Sequence, residues 1–171
     1  DTTKTVNEEL ASQIAVIGEN LKIRRFAQVE ENNGFVADYV HMGGKIGVLV
    51  EAATDVVNDD IKEALKNVAM QIAALHPQYV CADEVPQEFK DHEIEIIKAQ
   101  IANDPKAAGK PEKVIEGMIN GKLNKELKEI CLNDQVYVKA EDGKQSVSAY
   151  LAQVGKANNA NLSIKKFVRF E

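Results

Sequence analysis

The stretch Tyr39–Ala53, which reads YVHMGGKIGVLVEAA, decides how the rest of the chain folds. It consists of two extended runs separated by Gly43-Gly44, and glycine accepts the positive φ angles that a tight turn demands. The apolar residues of the second run lie two apart, so on a strand they share one face: Ile46, Val48, Val50 and Ala52. We therefore expect a β-hairpin in the middle of a sheet that helices cover, with the hairpin loop as the first place to look for function.

The composition predicts one core made of aliphatic residues. The chain has 171 residues, of which 44% are hydrophobic and only 5% aromatic, and it has no tryptophan. Its formal net charge of −6 argues against a general nucleic-acid-binding protein, which normally has a basic surplus. No apolar run is long enough to span a membrane, no secretion signal is visible, and the two cysteines are too far apart in sequence to indicate a disulfide framework. These features predict a cytoplasmic protein with no membrane contact, no nucleic-acid partner and no cofactor.

Three extended segments precede the first long helix and predict a meander of strands. The run Ile23–Glu30 is compatible with a strand, and Asn32–Gly34 after it is a strong signal for a hairpin turn. Phe35–His41 and Lys45–Ala53 would then be the next two strands. A last run alternates apolar and polar residues, which predicts a half-buried strand that adds to the same sheet, with one face made by Leu162, Ile164, Val168 and Phe170.

From Asn58 onward the apolar residues recur every three or four positions, which predicts a helix. Asn58 or Asp59 can cap its first turn, and His76-Pro77 ends it. Two shorter helices are predicted at Glu8–Ile17, ended by Gly18, and around Val147–Val154, ended by Gly155.

A helical hairpin is predicted between these elements. Pro86–Asn103 and a second segment that begins at Pro111 and runs to Leu127 have narrow apolar stripes and are joined by a short connector rich in Pro, Gly and Ala. Gly117 and Gly121 would let the partner helix come close. The whole pattern predicts an α+β fold: an antiparallel sheet of three to four strands covered by helices, with a protruding antiparallel helical hairpin.

The residues with catalytic chemistry do not form a recognisable motif. His41, His76 and His92 are far apart, and no spacing typical of metal ligands joins them. Gly43–Lys45 matches only a fragment of a phosphate-binding loop, because a strand follows it and Ile46 replaces the hydroxyl residue. No Gly-x-Ser-x-Gly motif occurs, and neither cysteine has a histidine nearby in sequence. The sequence therefore predicts a protein that is not an enzyme.

The hairpin loop instead suggests a docking surface. His41-Met42 places an imidazole beside a flexible thioether, and methionine adapts to irregular pockets. The alternative is a mobile turn without a function. Arg24 and Arg25 could contact an acidic partner or form an ordinary solvated strand edge, and since adjacent strand residues face opposite ways, we expect at most one of them on any one surface.

Four stretches of the chain match the signatures of one known family. Ile17–Arg25 looks like an IGENxxIRR signature, and His41–Val50 resembles an HxxxRIGVLV segment with Lys45 where arginine is common. Val68–Ala74 is similar to an IAMHIAA helix, and Gly109–Gly117 to the start of a GKPxxIxEKMVEG helix. In this order they resemble bacterial elongation factor Ts over nearly the whole chain.

The resemblance implies a guanine-nucleotide exchange factor that releases GDP from elongation factor Tu during translation. It implies that residues 23–85 and 128–171 form an α+β domain of the dimerisation type, that 86–127 are an inserted coiled-coil hairpin, and that 1–22 are a remnant helix of the amino-side half of the core. In that family this region docks on the third domain of the Tu partner, and it can also mediate dimers. The partner-binding residues that follow from the resemblance and the loop are Tyr39, His41, Met42, Gly43, Gly44 and Lys45.

Departures from the family pattern limit the expected activity. The exchange motif Thr-Asp-Phe-Val-Ala is absent, and Thr54–Val57 is only a superficial echo that lacks the phenylalanine. The family's amino-terminal helical module and its carboxyl-terminal helix are also absent, so we expect a piece of a longer protein. We predict that it binds elongation factor Tu but promotes exchange poorly, with self-association as a homodimer as the alternative.

Overall fold

The computed structural model describes residues 2–171, in which five α-helices accompany a three-stranded antiparallel sheet. The helices are α1 (Val6–Ile17), α2 (Asp59–Leu75), α3 (Gln87–Ala102), α4 (Glu112–Ile130) and α5 (Val147–Ala157). The strands are β1 (Gly34–His41), β2 (Ile46–Thr54) and β3 (Leu162–Phe170), in the spatial order β1-β2-β3. The predicted α+β class is confirmed, and the strand of the opening stretch, β2, is central.

Strand β2 divides the sheet into a covered and an outer face. Its alternate residues Ile46, Val48, Val50 and Ala52 are at most 8% exposed and belong to the main core. Helix α2 packs on the covered face of the sheet and completes this core with fully buried side chains that include Ile61, Leu65, Val68 and Ile72. The apolar residues that recur every two positions in β2 and every three or four positions in α2 therefore pack together in one apolar layer.

Helix α2 begins and ends where the sequence predicts. The side chain of Asn58 accepts a hydrogen bond from the backbone N–H of Ile61 at 2.9 Å, and Asp59 and Asp60 follow in the first turn, where the helix dipole favours negative charge. At the other end His76 adopts a left-handed conformation with φ 46° and its N–H donates to Ile72. The helix is thus capped at both ends.

The predicted strand Ile23–Glu30 is wrong. Residues 19–33, here the connecting segment, contain no strand, and no backbone-to-backbone hydrogen bond involves residues 22–33. Side chains hold the segment instead: Arg24 and Arg25 donate to the backbone carbonyl of Glu171 at 3.1 and 3.3 Å, and Lys165 pairs with Glu31. A β-prone sequence becomes a strand only when a neighbouring backbone completes its ladder, and here none does.

Strand β3 is confirmed, but its two faces are not those predicted. A β-bulge interrupts its pairing with β2 between Glu51 and Ala52, so that Ala52 lies opposite Ile164 whereas Glu51 lies opposite Lys166. The extra residue reverses the alternation, so Val168 and Phe170 point to the outer face and Arg169 to the face under α2. One Nη atom of Arg169 lies 3.5 Å from the carbonyl of Ala73 near the end of α2.

Helices α3 and α4 pack on each other around a second, smaller core made by Ile97, Ile101, Ala107 and Ile119. Lys122 donates to Gln100 across the pair at 3.3 Å, which fits an antiparallel arrangement. The expectation for Gly117 and Gly121 is wrong, because both are exposed and a Cβ atom on either would meet nothing within 4 Å. They lie on the outer side of α4, and the coiled-coil character of the hairpin stays a prediction.

One smaller expectation also changes near the carboxyl end. Ahead of α5, a single bridge pairs Val136 with Ser146. Gly155 lies inside α5 and does not end it; a Cβ there would lie 2.7 Å from the carbonyl oxygen of Ala160. This glycine therefore serves a close approach and not a helix terminus.

Candidate functional site

The loop between β1 and β2 is a short, tightly wound turn. Residues Met42–Gly44 form one 3₁₀ turn in which Met42, Gly43 and Gly44 have φ angles of 51°, 66° and 99°. The two glycines adopt this left-handed backbone without strain, as the sequence predicts. Met42 is a non-glycine residue in the same region, which is uncommon and costs energy. The turn therefore holds its methionine in a conformation that an unconstrained loop would avoid.

Tyr39 and His41 lie side by side before this turn. They are two residues apart on β1 and so share a face, and Tyr39 Oη lies 2.8 Å from His41 Nδ1. Their ring centroids are 5.7 Å apart with a tilt of 34°. Tyr39 also packs against the main core, so the imidazole is hydrogen-bonded to a side chain that the core holds in place.

The remaining residues of the loop face solvent. Met42 is 62% exposed, and Lys45 and both glycines are exposed as well. Nothing lies within 4 Å of a Cβ built on Gly43 or Gly44, so the space around the turn is open. The structure thus brings all six residues predicted from the sequence to one end of the sheet, as two supported rings followed by an exposed turn.

Sequence reasoning missed an apolar row beside the loop. On the outer face Val40 lies opposite Gly47, and Gly47 lies opposite Phe170. Val40 is 63% exposed, and a Cβ on Gly47 would meet nothing within 4 Å, so the row has apolar ends and a shallow centre. The alternation of β1 could have indicated Val40, but the bulge in β3 hides the position of Phe170.

Basic side chains converge at the same end of the sheet. Arg24 and Arg25 both reach Glu171, contrary to the expectation that at most one would serve a single surface, and the Arg25 guanidinium lies 4.5 Å from the Phe170 ring centroid. Arg169 Nη1 donates to the Glu171 carboxylate at 2.8 Å. This hydrogen bond keeps the pKa of the Glu171 carboxyl below its ordinary value.

Neither a metal site nor a reactive cysteine has support among residues 2–171. No group of three or more His, Cys, Asp or Glu side chains in that range could hold a metal ion. Burial raises the pKa of the Cys131 thiol to about 11, which leaves it a poor nucleophile near neutral pH. A cleft of about 740 Å³ lies between the loop around Asp142 and α5, but its lining contains neither a histidine nor a cysteine.

None of the helices described for residues 2–171 combines the length and the apolar character that crossing a membrane requires.

Comparison with known proteins gives one consistent result. The family described as "Elongation factor TS" matches residues 1–171. Elongation factor Ts of Clostridioides difficile strain 630 is 46% identical over 167 residues, which is 98% of this chain and 53% of that protein. The proteins of the same name from Clostridium perfringens strain SM101 and Clostridium botulinum strain Eklund 17B are 42% and 40% identical over 171 residues, which is all of this chain and 54% of each. The chain spans about half the length of these curated relatives, and it belongs to the elongation factor Ts family.

Proposed function

We propose that this chain binds elongation factor Tu and that the β1–β2 loop with its flanks, residues 39–45, is the docking surface. Family membership supports the choice of partner. The observation that carries the choice of surface is the pairing of a core-supported imidazole at His41 with a 62% exposed Met42. An anchor that is already ordered loses little conformational entropy when it binds, whereas a flexible thioether can fit an irregular pocket.

The proposed surface extends from the loop onto the outer face of the sheet. Val40 and Phe170 lie on the face of the sheet opposite to Tyr39 and His41, so they would contact a partner that wraps around the end of the sheet, and the arginines beside Glu171 would border them with positive charge. An apolar centre with a polar, charged border is the usual anatomy of a protein–protein interface.

We also propose that the chain binds without driving efficient nucleotide exchange. The echo of the exchange motif at Thr54–Val57 is engaged in the fold itself: Asp55 accepts hydrogen bonds from the backbone and side chain of Asn161 at 2.8 and 2.7 Å, and the Thr54 hydroxyl donates to the carbonyl of Val56. A binding protein shifts an equilibrium only if its affinity differs between the two states of its partner. A chain that binds GDP-bound and nucleotide-free elongation factor Tu equally well therefore does not promote the release of GDP.

The first test is a calorimetric titration against nucleotide-free elongation factor Tu, with the native chain and the His41→Ala variant. We expect the substitution to weaken binding by about 1–3 kcal/mol, the range of a contact inside an interface. His92→Ala is the matched control, because His92 is an exposed histidine on α3 outside the proposed surface. A native chain that gives no complex, or a loss that is equal for both variants, would contradict the proposal.

Self-association is the second candidate. The outer face of the sheet carries apolar side chains that are only partly buried, such as Val36, Leu49 and Val168, and a second copy could cover them. Sedimentation at several concentrations tests this candidate, and a monomer throughout would remove it.

A further inference from the structure

The side chains of Tyr39 and His41 form a pair whose geometry has a chemical consequence. The phenol oxygen lies 2.8 Å from Nδ1, the ring nitrogen on the side of the strand. Among residues 2–171 no second hydrogen bond engages either side chain. Nε2 is on the opposite side of the five-membered ring, so it is the nitrogen that remains for a partner.

The direction of this hydrogen bond follows from the two groups. A phenol carries one proton to donate, and the nitrogen of a neutral imidazole that lacks a proton is the stronger acceptor of the two sites. If Tyr39 donates to Nδ1, the single N–H of the neutral ring must be on Nε2, since the bond at one nitrogen fixes the proton at the other.

We propose that Tyr39 is a positioning residue that makes His41 present Nε2–H as a donor to a carbonyl or carboxylate oxygen of the protein partner. This inference rests on the proposed function, in which His41 is part of the docking surface. It assigns two different roles within the loop: His41 touches the partner, and Tyr39 acts through His41 by fixing the ring plane and the tautomer.

The tautomer is measured on the chain alone. Two-bond ¹⁵N–¹H correlation spectra of the neutral ring separate the two nitrogens, and we expect the pattern of Nε2–H for His41. In Tyr39→Phe, which keeps the ring that packs on the core, we expect shifts averaged between the two tautomers. A native His41 with its proton on Nδ1 would overturn the proposal, as would identical spectra for the native chain and Tyr39→Phe.

Two substitutions of His41 test the donor in the complex. The amide of Gln places an N–H near the position of Nε2, whereas the shorter Asn places its amide near Nδ1. We expect His41→Gln to keep affinity for elongation factor Tu within about threefold and His41→Asn to lose at least the roughly three- to tenfold that one neutral hydrogen bond corresponds to. Better binding by His41→Asn than by His41→Gln would overturn the assignment.

A double-mutant cycle separates positioning from direct contact. Tyr39→Phe should weaken binding by about three- to tenfold when His41 is present and should change little when residue 41 is alanine. Additive losses would mean that Tyr39 contacts the partner by itself, which contradicts the proposal. If His41→Ala leaves binding unchanged, the proposed docking surface fails, while the spectra of the free chain still decide whether Tyr39 sets the tautomer.

Discussion

Glu126 carries a charge that fits its surroundings poorly. One carboxylate oxygen of this α4 residue is buried without a hydrogen-bond partner. Burial, and then the neighbouring carboxylate of Glu93 on α3, raises the pKa of the Glu126 carboxyl, and the charge of Glu129 adds to the effect. Lys122 opposes it only in part. The two helices of the hairpin therefore bring two carboxyl groups close together, and the pKa of Glu126 is raised in part by this contact.

We expect Glu126→Gln to stabilise the chain near neutral pH. A raised carboxyl pKa means that the folded state prefers the protonated form, so this residue's contribution is fully present below the ordinary pKa of 4.5 and is lost as the pH rises through the raised value. Thermal unfolding should show a gain of about 1 kcal/mol for Glu126→Gln at pH 7.5, the cost of an unsatisfied buried group, which shrinks toward pH 4.5.

The control for this substitution is Glu116→Gln, which removes the same charge from an exposed position of α4. Its effect should be small at every pH, because exposed charges contribute little. If the two variants have the same pH profile, the buried environment of Glu126 is not the cause.

At the scale of the element, two helical glycines with different surroundings should respond in opposite ways to the same change. Gly117 in α4 faces open space, so Gly117→Ala should stabilise the chain by about 0.5–1 kcal/mol through helix propensity. Gly155 in α5 approaches the carbonyl of Ala160, and a Cβ at 2.7 Å forces α5 and the following turn apart. Gly155→Ala should therefore destabilise the chain by about 1–3 kcal/mol, and urea unfolding of both variants measures the difference.

Equal effects of the two substitutions would show that helix propensity alone governs both positions. Gly121→Ala provides a second exposed site on α4 and should repeat the gain of Gly117→Ala.

The elements also show what a sequence can predict. The helix after Asn58 and the strand at Ile46–Thr54 were predictable because each buries one face, and burial leaves a period in the sequence. Ile23–Glu30 has the residues of a strand, but strand formation depends on a second backbone that a local pattern does not describe. The bulge in β3 inserts one residue without a local signal, and it moved Phe170 from the predicted face to the outer one.

Of the proposed docking surface, the sequence predicts the loop but not the contacts around it. Gly43-Gly44 indicates a turn from local backbone chemistry, so the loop was found from sequence alone. The hydrogen bond between Tyr39 and His41 depends on side-chain rotation, and the basic border depends on the approach of Arg24 and Arg25 to Glu171, which is 147 residues from Arg24. Such distant contacts leave no periodic trace.

At the scale of the whole molecule, the connecting segment is weakly protected against proteolysis. The absence of backbone hydrogen bonds in residues 22–33 leaves the peptide bonds after Lys22, Arg24 and Arg25 open to a protease, whereas the basic residues of α2 lie in a packed helix. Brief digestion with trypsin, followed by mass spectrometry, should find the first internal cut within Lys22–Arg25. A first cut at Lys106 in the connector between α3 and α4 would contradict this order.

The position of β2 between its two neighbours has a consequence for how the chain is made. Its pairing with β1 is local, but its pairing with β3 joins distant parts of the sequence, from Thr54 with Leu162 to Gly47 with Phe170. During synthesis the loop that carries His41 can therefore form early, while the edge of β2 that pairs with β3 stays unpaired until β3 has been synthesised. Remote strand pairing is slow, and an open strand edge invites pairing with other chains, so the interval before β3 arrives is when this protein is most exposed to aggregation.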